Sequence, residues 1–176
     1  MTHTELCKLT AERFIKSSGN NIALYEYQSY VSGEHPDVLI YGNTTILFEI
    51  KISRSDFLSD KQKDARKKYK TRSYIHRNNA GKYEVRLYTP ELRWNEKPHL
   101  GLKRYYVCEY GLIHPDEVER WGLYWYTGGR FYKKKESDKF VRNIHAENRL
   151  LSHAFRKYAN TTNDPNIIVK PYSKGY

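Results

Sequence analysis

Two apolar runs, Val38–Tyr41 and Thr45–Ile50, stand either side of Gly42-Asn43, and no other feature constrains the fold of this chain as much. Runs of this length, bounded by turn residues, read as neighbouring buried strands. Ile22–Tyr30 alternates weakly, is rich in aromatics and reads as a third strand. Ahead of it, Leu6, Cys7, Leu9, Ala11, Phe14 and Ile15 recur at near-helical spacing over Thr4–Lys16, until Ser17-Ser18-Gly19-Asn20-Asn21 breaks the pattern. The order is therefore one helix followed by three strands.

After Lys51 the chain changes character. Ser53 or Ser55 can cap a helix in which Phe57, Leu58, Ala65 and Tyr69 form a buried stripe. From Lys61 to Arg77 that segment carries eight basic residues against Asp64 alone. Residues 76–100 read as a polar excursion with one strand, Tyr83–Tyr88. Arg104–Cys108, Leu123–Tyr126 and Arg130–Lys134 are further strands, the last two joined as a hairpin across Thr127-Gly128-Gly129. A last amphipathic helix is expected over Asp138–Tyr158, followed by a polar tail containing Pro165 and Pro171.

Composition narrows the function classes. The 176 residues include 31 Lys and Arg against 20 Asp and Glu, a net charge of +11 that favours a polyanionic partner. Hydrophobic residues reach 39%, too many for a disordered basic tail. No apolar run approaches a membrane span, and the first residues lack the pattern of a signal peptide, so a soluble, cytoplasmic protein is expected. Cys7 and Cys108 are far apart and outside any Cys/His cluster, so neither a disulfide framework nor structural zinc is indicated; Cys7 reads as a core residue. The seven histidines show no metal-nuclease spacing, and His35, beside Pro36, is the one expected nearest the chemistry.

That chemistry centres on Pro36-Asp37 and Glu49-Ile50-Lys51. Side chains two apart on a strand share a face, so Glu49 and Lys51 point together. Asp37 joins them only in one register. A strict two-residue Gly42-Asn43 turn pairs Asp37 with Phe48 and splits the acids. A three- or five-residue loop, or a bulge, sets Asp37 opposite Glu49 with Asn43 at the centre. Two hard carboxylates then suit Mg²⁺ or Mn²⁺, with the Ile50 backbone carbonyl as a further ligand. Lys51 would hold a water or stabilise developing charge.

These residues resemble the PD-(D/E)XK nuclease superfamily in Pro-Asp, in Glu-x-Lys, and in the α-β-β-β-α-β order around them. The stretch Glu49–Lys61, together with Arg104–Ile113 and Trp121-Gly122-Leu123, is similar to small bacterial and phage DNA-repair nucleases of the MmcB-like kind. The resemblance covers residues 22–72 and 101–132 and leaves 73–100 as an insertion. It implies an α/β domain over 1–159, restriction-endonuclease-like, with a mixed sheet flanked by helices and a C-terminal tail over 160–176. It further implies a Mg²⁺-dependent deoxyribonuclease with Asp37, Glu49 and Lys51 as its catalytic set. Many superfamily members add a third acid from the first helix or strand, here Glu26 by preference, or Glu12 or Glu34.

Around this set, Lys61, Lys63, Arg66, Lys67 and Lys68 are expected to grip DNA phosphates from the basic helix, an affinity without sequence preference. Ser53, Arg54 and Asp56 are expected to support the site: Arg54 and Asp56 either brace Glu49 or Lys51, touch phosphate, or cap the helix and pair locally. Tyr105-Tyr106 and Leu123–Tyr126 are read as core rather than as a stacking surface for bases. Glu147 is left out of the site, since a helix-surface pair with Arg149 or Lys157 suits it as readily as a functional contact. Repair, recombination and phage DNA processing are the implied settings, and a junction-cutting enzyme would be expected to form a homodimer. The rival readings are a non-catalytic nucleic-acid-binding module on the same fold and a protein-interaction factor with a basic face.

Overall fold

The computed structural model describes residues 1–17, 19–27, 35–63, 68–70, 74–77, 83–86, 92–94, 99–160 and 164–170. Thr2 starts the first helix, α1 (His3–Ile15): its hydroxyl accepts the Glu5 amide while the Glu5 carboxylate accepts the Thr2 amide. Leu6, Cys7, Ala11 and Ile15 form the stripe that α1 buries. Then follow β1 (Asn20–Tyr25), β2 (Val38–Gly42), β3 (Ile46–Lys51) and α2 (Arg54–Lys61). Four short strands come next, β4 (Lys68–Lys70), β5 (Tyr74–Arg77), β6 (Tyr83–Arg86) and β7 (Leu92–Trp94). The chain continues with β8 (Lys103–Glu109), a single 3-10 turn (Pro115–Val118), β9 (Gly122–Thr127), β10 (Arg130–Lys135), α3 (Ile144–Asn160) and β11 (Ile167–Val169).

Seven strands form one sheet in the order β10-β9-β8-β3-β2-β1-β11. β8 lies parallel to both β3 and β9 while the other pairs are antiparallel, so the sheet is mixed. The fold is α/β, in the expected α-β-β-β-α-β order. Strand alternation sends Val38, Ile40, Phe48 and Ile50 to the layer under α1, and Leu39, Tyr41 and Leu47 to the layer holding Phe57, Trp121, Leu150 and Ala154. Tyr105 and Tyr106 are buried in these two layers, the core role read from the sequence. The β9–β10 hairpin turns on Gly128 and Gly129, whose positive φ angles suit a two-residue turn matched to strand twist.

The chain divides into two compact units, Met1–Phe57 with Pro98–Tyr176, and Leu58–Lys97. In the smaller unit β4 pairs antiparallel with β7, and β5 pairs antiparallel with β6. Most of the segment 73–100, read as an insertion, falls within this unit.

Three expectations for the elements are corrected. The long basic helix does not exist: α2 stops at Lys61, and Lys68 and Tyr69 lie in β4. Between Ser59 and Arg72 only Ala65 and Tyr69 are apolar, too few to bury a helical face, and most helix stability comes from such burial. The last helix begins at Ile144 rather than Asp138, because Asp138 and Phe140 spend their amides on Arg120 and Leu102 carbonyls and Asn143 caps the Ala146 amide at 3.0 Å. The segment read as a polar tail supplies β11, which pairs with β1 through Ile22↔Val169 and Leu24↔Ile167. Among the described residues no helix is long and apolar enough to cross a membrane.

Candidate metal and catalytic site

The register between β2 and β3 decides where Asp37 goes. Val38 pairs with Phe48, Leu39 with Leu47 and Ile40 with Ile46, leaving a loop centred on Asn43. Carried one residue further, this register sets Asp37 opposite Glu49, the arrangement that the simple two-residue turn forbids. Asp37 then continues the ladder with its side chain: Oδ2 accepts the Ile50 amide at 2.7 Å. One carboxylate oxygen is thereby fixed by the backbone of the Glu-x-Lys strand itself.

Glu49 and Lys51 are 8% and 3% exposed, which for an acid and an amine demands compensation. Lys51 Nζ lies 3.5 Å from Glu49 Oε2 and 3.7 Å from Asp56 Oδ1. Asp56 is held in turn by its amide, which donates to Ser53 Oγ at 3.2 Å at the start of α2. Ser53 and Asp56 therefore support the strand end. Arg54 does not: its guanidinium engages both carboxylate oxygens of Glu117.

Of the three alternatives for a third acid, Glu26 stands next to Asp37. It adopts φ +45°, a left-handed conformation costing a non-glycine residue on the order of 1 kcal/mol. Its amide donates to the Asp37 carbonyl at 2.8 Å. Glu12 lines a separate groove with Arg13 and Tyr126, and Glu34 falls outside the described residues.

His3 joins these acids, and sequence reasoning missed it. Its Nδ1 lies 3.0 Å from Glu26 Oε1 and its Nε2 3.4 Å from Asp37 Oδ2. The hydrogen bond to Asp37 outweighs the cost of partial burial; with the Asp37 charge and the bond to Glu26, it raises the imidazole to about 9. Thr4 Oγ1 donates to the same Glu26 oxygen at 3.0 Å, and Cys7 Sγ lies 3.5 Å from His3 Nδ1. Burial pushes the Cys7 thiol up, and the nearby charges of Asp37, Glu26 and Glu49 push it further. Cys7 is thus both a core residue and a neighbour of the acids. The four-residue spacing of His3 and Cys7 on one helix face was the available signal.

His3, Glu26, His35, Pro36 and Asp37 line an open cleft of about 570 Å³. His35 is at the cleft as expected, yet His3 makes the contacts to the acids. His3 bridges the carboxylates of Glu26 and Asp37, meeting one with each ring nitrogen.

The expected DNA contacts divide. Lys61 is the last residue of α2, and Lys63 pairs with Asp60 at 2.6 Å. Lys68 belongs to β4, while Arg66 and Lys67 lie outside the described residues. Glu147 is corrected from a surface residue to a buried one. It binds Arg142, accepts Thr45 Oγ1 at 3.0 Å and accepts the Gly101 amide at 2.9 Å, tying α3 to the loops before β3 and β8.

No protein-family model and no curated protein matches this chain. Among solved structures it is similar to the SPO1766 protein of unknown function from Silicibacter pomeroyi, with a TM-score of 0.51, 14% identity and 94% of each chain covered. At that identity the likeness shows the fold alone.

Proposed function

We propose that this chain is a metal-dependent deoxyribonuclease of the PD-(D/E)XK type, hydrolysing phosphodiester bonds in the cytoplasm of a bacterial or phage-infected cell. The observation that carries the reading is the β2–β3 register, which aligns Asp37 with Glu49 and leaves Lys51 on the same face as Glu49. Asp37, Glu49 and the Ile50 carbonyl would hold Mg²⁺ or Mn²⁺, with Glu26 as the third acid. When bound there, such a cation supplies Lewis acidity and a water of lowered pKa.

The chain's own residues supply the rest. The Ile50 amide orients Asp37 before any ligand arrives, which removes a reorganisation cost. Lys51 donates from a buried position towards the reacting phosphate, where a charge is worth more than in water. Asp56 holds that ammonium in place from the start of α2. Net charge of +11 draws a polyanion to the molecule, and the run Lys61–Lys68 supplies phosphate contacts without sequence preference. Repair, recombination or phage DNA processing is the setting this chemistry fits.

The test is cleavage of plasmid, linear duplex and single-stranded DNA with Mg²⁺, Mn²⁺ or EDTA, comparing wild type with Lys51→Ala and Glu49→Ala. Wild-type cleavage that EDTA stops and each variant lowers at least ~100-fold is expected, the size of effect seen when a transition-state donor is removed. Metal-dependent cleavage by purified Glu49→Ala would sink the assignment. Wild-type binding without cleavage on every substrate would shift the reading to a non-catalytic nucleic-acid-binding module.

A further inference from the structure

We propose that His3, Cys7 and Glu26 form a second metal site, selective for a thiophilic divalent ion of the Zn²⁺ class, at the edge of the carboxylate centre. Their ligand atoms all lie within 4.8 Å of one another. Two of the three separations are close to those of a tetrahedral centre. With zinc–sulfur, zinc–nitrogen and zinc–oxygen bonds of ordinary length, tetrahedral angles place sulfur about 3.5 Å from nitrogen and nitrogen about 3.3 Å from oxygen. Here Cys7 Sγ lies 3.5 Å from His3 Nδ1, and that same nitrogen lies 3.0 Å from Glu26 Oε1. Sγ also lies 3.9 Å from Nε2, so the sulfur sits against the imidazole ring, and a shared ion requires His3 to turn its Nδ1 lone pair towards Cys7.

The other nitrogen is also provided for. His3 Nε2 lies 3.4 Å from Asp37 Oδ2, so its N–H can donate to that carboxylate. A histidine ligand whose second nitrogen is held by a carboxylate is more basic and fixed in orientation. Asp37 is itself anchored on the Ile50 amide, so the chain runs from the β3 backbone through Asp37 and His3 to the ion.

Access and chemistry agree with this. Cys7 is fully buried, but His3 and Glu26 line the open cleft, which leaves an approach for the ion and a fourth, solvent-facing position. Binding converts the Cys7 thiol to a metal thiolate and releases that proton, together with one from His3 when its imidazole is protonated. A thiolate and an imidazole select Zn²⁺, Co²⁺ or Cu⁺ over Mg²⁺. Glu26 is common to both metal sets, and Asp37 ligates in one and steadies His3 in the other. The soft-metal site nevertheless stands on its own three donors, independent of whether the chain cleaves DNA.

The test is titration of the chelator-treated, reduced, full-length protein with Co²⁺, read by absorbance, followed by Zn²⁺. The expected result is a near-ultraviolet thiolate-to-cobalt band saturating at one equivalent, bleached by Zn²⁺ and unmoved by millimolar Mg²⁺. Cys7→Ser should lose the band, Cys108→Ser should keep it, and Glu26→Gln should weaken Co²⁺ binding at least tenfold. His3→Ala, at a partly exposed position, should lower affinity by at least the same factor, and it tests the site even if Cys7→Ser folds poorly. Absence of the band in the wild type, its persistence in Cys7→Ser, or an unchanged titration in His3→Ala would each overturn the proposal.

Discussion

At the scale of single residues, Lys51 carries the clearest energetic consequence. An ammonium this deeply buried is tolerated because Glu49 and Asp56 face it, and removing one partner leaves the others charged in a medium that solvates them poorly. Lys51→Met should therefore lower stability by roughly 2–3 kcal/mol, below the full cost of a broken buried pair because Asp56 is partly exposed. Adding Glu49→Gln should restore most of that loss; urea denaturation of the four species of the cycle measures the coupling. Glu136 gives a pH prediction of definite sign. Against a desolvation cost that raises it, hydrogen bonds from Lys103, Lys133 and Tyr105 bring its carboxyl down to about 2. A depressed folded pKa contributes stability above the ordinary carboxylate value and loses it as pH falls through 2. Glu136→Gln should thus cost at most about 1 kcal/mol at pH 7, the pair being half exposed, and the difference from wild type should vanish on acid titration from pH 4.5 towards 2. That Glu49 and Lys51 share a face was legible in the sequence because a two-residue period fixes it, whereas the place of Asp37 depended on the register. His3 was not legible, because its partners Glu26 and Asp37 come from the ends of β1 and β2 and meet it only when α1 packs on the sheet.

At the scale of elements, the β2–β3 connection makes the site. Gly42 leaves no room for a side chain: an added Cβ would fall 2.0 Å from the Gly19 carbonyl and 2.7 Å from Asn20 Cα, both backbone atoms. Gly42→Ala must push the start of β1 away from the end of β2, where Asn20 pairs with Gly42. A destabilisation of about 2 kcal/mol or more is expected, read as a lower urea midpoint. A one-residue slip in place of this loss would send Asp37 to the opposite face and break up the proposed metal site. The same connection shows what patterning can tell. Two apolar runs around Gly42-Asn43 specify two adjacent strands, and the parity of residues 37 and 49 reduces the register to two classes. Choosing between them required the loop. Charge-rich segments were less legible: Lys61–Arg77 has residues with good helix propensity but no apolar stripe, and the chain leaves the helix at Lys61 for short strands. β11 was hidden because three residues, Ile167–Val169, are too few to show a period.

At the scale of the whole molecule, the sheet core lies in one compact unit and the basic run Lys61–Arg77 lies wholly in the other, Leu58–Lys97. The residues proposed for catalysis and those proposed for phosphate contact are thus separate in sequence. The proposed chemical groups lie just before β2, in β3 and at the start of α2, while Lys67 and Lys68 fall in the smaller unit. Neutralising that pair should leave the carboxylate centre's metal binding intact and weaken DNA binding, with the signature of lost phosphate contacts. On duplex DNA each phosphate contact contributes about −0.9 to the slope of log K against log salt concentration. Lys67→Ala with Lys68→Ala should therefore make the slope shallower by roughly 1–2, uniformly across unrelated sequences. Fluorescence anisotropy on two duplexes of different sequence over a range of salt concentrations measures this. A slope unchanged from wild type would mean that these lysines do not meet phosphate, and the polyanion-binding role would pass to basic residues of the larger unit such as Arg130 and Lys134. A loss confined to one duplex would instead mark base readout, which a backbone-gripping surface does not provide.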